Sequence, residues 1–166
     1  MHKLVKSVRE AIALSGLKDG MTVSFHHHLR NGDFVLNMVM EEIAAAGIRN
    51  LTVNASSLFD VHMPLLNHIE NHVVTTVAAD YIAAGLGKAF SRGILENPIE
   101  FRTHGGRPSD ITLGRTPIDV ALSQLLLPTP WATAPVSTAS PPVAVWAMLL
   151  PMPCMQRKWW SLPTIW

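Results

Sequence analysis

Between Met21 and Ala121, strand-forming runs alternate with helical runs about every 25–30 residues, and this rhythm restricts the fold more than any other feature. Antiparallel neighbours are joined by short turns. Parallel neighbours need a crossover of a dozen or more residues, usually a helix. The expected class is therefore α/β, with a parallel sheet and crossover helices. No internal repeat is visible.

Leu4, Val5, Val8, Ile12 and Leu14 recur at near-helical spacing, and Gly16 closes that pattern. Met21–Phe25 is rich in β-formers and reads as a short strand. His26–Asp33 is a polar loop containing the turn signal Asn31-Gly32. Phe34–Ala46 is predicted helical, with Val35, Met38, Val39, Ile43 and Ala46 on one face. Asp33 is its expected N-cap and Gly47 its stop. Met38 and Met40 are expected to pack in the core.

Leu51–Ala55 is the next strand, and Ser56-Ser57 opens a second polar loop. Val61–Ile69 is weakly helical after Pro64, and Val73–Ala78 is a β-branched strand. Tyr81–Arg92 reads as a loop entering a helix. Pro98–Arg102 is a strand, Thr103–Pro108 a glycine-rich loop, and Ile118–Ala121 the start of a further strand.

The composition breaks near Leu122. All 12 acidic residues, all 10 glycines and all 8 histidines precede it, while all 5 tryptophans follow it. A soluble segment normally carries about a quarter charged residues. The tail from Leu122 has only Arg157 and Lys158. Its prolines, at 128, 130, 135, 141, 142, 151, 153 and 163, interrupt helices and central strands. Residues 1–121 are thus expected to form part of an α/β domain, and residues 122–166 an irregular Pro/Trp-rich tail.

Three readings of that tail compete: a proline-rich recognition segment, a lipid-contacting segment, and a stretch translated out of frame. The genetic code supports the third. If each codon begins at the old third base, Trp131-Ala132 becomes Leu, Met or Val followed by Gly. Trp146-Ala147-Met148 likewise hides a glycine, and Lys158-Trp159-Trp160-Ser161 hides Met/Val-Val-Val/Glu, a strand-like run. The missing glycines and strand reappear.

The remaining composition bounds the function classes. A formal charge of +1 argues against a nucleic-acid-binding protein. Cys154 is the one cysteine, so neither a disulfide framework nor a cysteine-built zinc site is expected. Met1–Glu10 lacks the apolar core of a secretory signal, and no apolar run reaches the roughly 20 residues of a membrane span. A cytoplasmic location is expected, with no membrane or nucleic-acid partner.

In open parallel sheets, function sits in loops beyond the carboxyl ends of strands. Three loops qualify: 26–33, 54–60 and 103–107. In the first, His26, His27 and His28 precede Arg30, Asn31 and Gly32. Neighbouring side chains on extended backbone alternate sides, so at most two of the three histidines face one ligand. Arginine binds a carboxylate bidentately, and histidine donates to one. This suits an anion or carboxylate site. Surface histidines on a loop are the competing reading, and no carboxylate–histidine spacing supports a metal.

In the third loop, Gly105 and Gly106 between a strand and a helix suit backbone approach to a phosphate or an oxyanion, with His104 and Arg107 beside them. A plain turn fits the glycines equally well. Ser56 and Ser57 could offer hydroxyls to a ligand. His62, His68 and His72 read as partly exposed surface residues.

Four segments carry a family resemblance: Gly16–Asp33 with its Phe-His-His-His-Leu-Arg-Asn-Gly-Asp end, Ala55-Ser-Ser-Leu-Phe-Asp60, Ser91-Arg-Gly-Ile-Leu-Glu-Asn-Pro98 and Arg102-Thr-His-Gly-Gly-Arg-Pro108. They resemble the alpha chain of bacterial citrate lyase over about residues 3–121. The resemblance implies a coenzyme A transferase-like, Rossmann-like fold, of which this stretch is the N-terminal part.

In that family the alpha chain exchanges acetyl for citrate on an acyl-carrier gamma chain, whose prosthetic group derives from dephospho-CoA. The beta chain then cleaves the citryl thioester. The free alpha chain resembles a citrate CoA-transferase using acetyl-CoA. The resemblance implies citrate, the beta chain and the gamma chain as partners, with the thioester as substrate and no covalently bound cofactor or metal.

The resemblance also implies substrate binding by His26, His27, His28, Arg30, Asn31, Ser56, Ser57 and His104. Gly105, Gly106 and Arg107 would line the acyl or pantetheine side. Related transferases attack the thioester with a glutamate, forming an acyl-glutamyl intermediate. That residue is not assigned within 1–121, and the tail contains no Glu. This chain is therefore expected to lack transferase activity. The family continues past its Ile-Asp-Val-Ala strand with Gly-Ser-Leu-Gly-Tyr, with which Trp146-Ala147-Met148 is compatible in the shifted frame. The readings outside catalysis are an α/β ligand-binding module and a truncated product without function.

Overall fold

The computed structural model describes residues 7–26, 30–125, 144–149 and 158–161. Its helices are α1 (Val8–Ser15), α2 (Val35–Ala45), α3 (Leu65–Glu70), α4 (Ala84–Phe90) and α5 (Gly106–Thr112). Its strands are β1 (Thr22–His26), β2 (Leu51–Ala55), β3 (Val74–Ala79), β4 (Glu100–Phe101), β5 (Val120–Leu125), β6 (Ala144–Leu149) and β7 (Lys158–Ser161). Short 3-10 turns cover Arg30–Gly32 and Asp60–His62.

The strands form one sheet in the order β4-β3-β2-β1-β5-β6-β7. Neighbours from β4 through β5 are parallel, as the crossover rhythm requires. β6 and β7 are antiparallel additions. The tail was expected to be irregular, and two segments depart from that. Both lie between the prolines, β6 between Pro142 and Pro151 and β7 between Pro153 and Pro163. Each run is free of proline, so every residue in it keeps the N–H that a sheet ladder needs.

The sheet buries both sides differently. Val23 and Phe25 of β1, Val53 of β2, Val77 of β3 and Val120 of β5 join one hydrophobic cluster. Helix α2 contributes Val35, Leu36, Val39, Met40 and Ile43 to it. Met40 is fully buried, but Met38 is 44% exposed, because only one of two residues two apart can sit on the buried stripe. Alternate strand residues point to the other side. There Ser24 and Asn54, which are register partners, are buried polar groups.

The helix ends follow the expected chemistry with one shift. Ser7 Oγ accepts from Glu10 N–H at 3.1 Å and caps α1. Gly47 follows α2 with φ +78°, a left-handed conformation that costs glycine little. Asp33, the expected N-cap, sits one residue before the observed cap Phe34. Its Oδ1 still accepts from Val35 N–H at 3.1 Å.

Candidate functional site

β1 lies between β2 and β5, so the chain leaves it in one direction toward β2 and β3, and returns on its other side as β5. This is the topological switch point, where open parallel sheets form a crevice at their carboxyl edge. The segments following β1 and β2 meet beside it, on the β2 side of β1.

His26 ends β1 and is exposed. His27 and His28 lie outside the described residues. Arg30 and Asn31 are exposed in the first 3-10 turn. Arg30 has φ +50°, which a side chain disfavours by about 1–2 kcal/mol. Ser56 and Ser57, after β2, are buried, and Ser57 donates its hydroxyl to the Ser56 carbonyl at 2.7 Å.

His62 ties these two segments together. It was expected at the surface, yet it is 2% exposed. Its Nδ1 accepts from Phe59 N–H at 3.0 Å, so its Nε2 carries the proton and donates to the Asp33 carbonyl at 3.0 Å. Burial lowers its pKa, outweighing the Asp33 carbonyl and the Asp33 charge, which act the other way. A cavity of about 10 Å³ opens among Phe25, His26, Asp33, Val35, Leu36, Ser57 and His62, space for roughly one water.

The third loop follows β4. Gly106 N–H donates to Thr103 Oγ1 and Arg107 N–H to the Thr103 carbonyl, both at 2.9 Å. These two backbone donors are therefore engaged within the loop rather than turned toward an oxyanion. Gly105 is the N-cap of α5, with φ −80°.

Arg107 reaches back over the sheet. Its Nε donates to Asn54 Oδ1 at 2.6 Å, and its Nη2 to Ser24 Oγ at 2.7 Å and the Asn54 carbonyl at 3.4 Å. It clamps the polar side of β1 and β2. Burial lowers its pKa while the Asp80 charge opposes that shift. Asn54 is 1% exposed, and its Nδ2 has no hydrogen-bond partner.

Asp80, just past β3, completes the cluster. Its Oδ2 lies 3.1 Å from His104 Nδ1. Asn54 was included in the second candidate loop, but Ser24 and Asp80 were not singled out from the sequence, because each is an ordinary polar residue until the sheet register places it near Arg107 or His104. The one available signal was position: each lies in or just after a parallel strand.

The other histidines divide. His68 is also buried, 3.8 Å from the Glu41 carboxylate, and burial lowers its pKa against the opposing Glu41 charge. It lines a separate groove of about 330 Å³ with Glu41, Arg49, Asn67 and Asn71. His72 is exposed, as expected. No cluster of three or more His, Cys, Asp or Glu suited to a metal occurs among the described residues. No described helix is long and apolar enough to cross a membrane.

The family described as Citrate lyase, alpha subunit (CitF) matches residues 1–132. The chain belongs to the citrate lyase alpha subunit family. Among curated relatives, the citrate lyase alpha chain of Haemophilus influenzae is 51% identical over 120 residues, covering 72% of this chain and 24% of the relative. Those of Escherichia coli and Klebsiella pneumoniae are 48% and 45% identical, with the same coverage. A solved structure of a citrate lyase alpha subunit from Streptococcus mutans, in complex with citrate, superposes with a TM-score of 0.72. It is 49% identical, covering 73% of this chain and 24% of the other. The chain thus spans about a quarter of the length of these citrate lyase alpha relatives.

Proposed function

We propose that this chain is the N-terminal, citrate-binding part of a subunit that exchanges acetyl for citrate on a CoA-type thioester. The observation carrying this is the contact of Asp33, at the end of the first loop, with His62, just past the second, beside the switch point and within a stretch about half identical to a citrate-bound relative. His26, Arg30 and Asn31 offer donors and charge to carboxylates there. His27 and His28 belong to the same run. Ser56, Ser57 and His104 serve the substrate, and Gly105, Gly106 and Arg107 line the acyl or pantetheine side.

The thioester substrate is acetyl-CoA or the dephospho-CoA-derived group of an acyl-carrier gamma chain. The beta chain is the second protein partner, and the setting is the cytoplasm. An acyl-glutamyl intermediate needs a glutamate that this chain's tail does not supply. The chain alone therefore binds citrate but does not transfer acyl groups. Titrating citrate by calorimetry tests the binding, and Arg30→Ala should weaken it about tenfold. Labelled acetyl-CoA with citrate should yield no citryl thioester. Citrate binding indifferent to Arg30→Ala removes that residue from the site.

The out-of-frame origin of residues 122–166 belongs to the same reading. The relatives align over 120 residues of this chain, and its glycines and acidic residues stop at Asp119. Resequencing the gene across codons 115–130 tests it. A single intact frame into the same tail in independent isolates would oppose it.

A further inference from the structure

Asp80 is a buried carboxylate with an exposed imidazole in front of it. Its side chain is 4% exposed and that of His104 is 70% exposed. An ionised carboxylate only accepts hydrogen bonds, so at 3.1 Å the hydrogen lies on His104 Nδ1. The neutral ring is then the Nδ1–H tautomer, and Nε2 keeps its lone pair. The ring's base is also fixed. Thr103 binds the following backbone through both its carbonyl and its hydroxyl, and Arg107 pins the start of α5 to β1 and β2.

Citrate presents three carboxylates and one hydroxyl. Arginine and histidine N–H donors suit the carboxylates. The hydroxyl hydrogen needs an acceptor, and a ring held with its lone pair outward supplies one.

We propose that Asp80 is a positioning residue that fixes His104 as the Nδ1–H tautomer, and that His104 Nε2 accepts the citrate hydroxyl, which makes His104 a specificity-determining residue. The hydroxyl part rests on the citrate reading above. The tautomer part does not. Asp80 acts through His104 and touches no substrate. The selection is for a hydroxylated tricarboxylate over the same acid without its hydroxyl.

Nitrogen-15 spectra of the histidine rings at about pH 8, where an ordinary imidazole is neutral, read the tautomer directly. In the native chain, His104 should show a protonated Nδ1 and a bare Nε2. Asp80→Ala removes the acceptor that holds the Nδ1–H form, so the hydrogen should move to Nε2. Calorimetry with citrate and with propane-1,2,3-tricarboxylate then reads the selection. The native chain should prefer citrate about fivefold, the scale of one partly solvated hydrogen bond. His104→Phe should abolish the preference, and so should Asp80→Ala.

A native ring protonated at Nε2 overturns the proposal without any variant. So does a citrate preference that survives His104→Phe. If the native chain binds neither acid, the citrate reading and the hydroxyl selection both fall, while the ring spectrum still decides the role of Asp80.

Discussion

Asp119 and Thr22 hold each other twice: Thr22 N–H donates to Asp119 Oδ2 at 2.7 Å, and Asp119 N–H donates to the Thr22 carbonyl at 3.1 Å. This reciprocal pair starts the pairing of β1 with β5, the two strands flanking the switch point. Asp119→Ala leaves the partly buried Thr22 N–H without its charged acceptor. The expected loss is about 2 kcal/mol, read as a lower urea midpoint with an unchanged slope.

Arg107 makes the corresponding bond across the polar side of the sheet. Arg107→Met keeps much of the side chain's length and removes its donors, leaving Ser24 and Asn54 buried without their shared partner. About 2 kcal/mol of stability should go. Arg107→Lys should not restore it, because a single ammonium cannot reproduce the forked contact. Full recovery with lysine would mean that charge alone, rather than fork geometry, holds the loop.

Acid should weaken the fold through two histidines. Burial holds the pKa values of both His62 and His68 below their ordinary 6.5. The unfolded chain takes up these protons first as pH falls. Their contribution is therefore complete above about pH 6.5 and is lost as pH drops toward the lower folded-state values. The urea midpoint should be lower at pH 5.5 than at pH 7.5. Replacing both histidines with glutamine should shrink the difference, and a midpoint equally pH-dependent in that double variant would place the effect elsewhere.

The two methionines of α2 should separate cleanly. Met40 is wholly enclosed, so Met40→Ala should cost about 2–5 kcal/mol. Met38, 44% exposed, should tolerate alanine within about 0.5 kcal/mol. Thermal unfolding of the two variants tests the assignment of faces, and comparable losses would contradict it.

The sequence by itself determined the order of strands and helices, the parallel sheet from β4 through β5, the stop at Gly47 and the three loops at the carboxyl edge. Those features depend on local periodicity, backbone freedom and crossover length, which neighbouring residues encode. It also carried the family, through motifs such as Phe25–Asp33 and Arg102–Pro108. Only the tertiary structure decided that His62 and His68 are buried, that Arg107 turns inward onto Asn54 and Ser24, that Asp80 stands behind His104, and that two tail segments extend the sheet. Burial and hydrogen-bond partners belong to residues far apart in the chain, and no local pattern specifies which distant group a polar side chain will meet once the strands take their register.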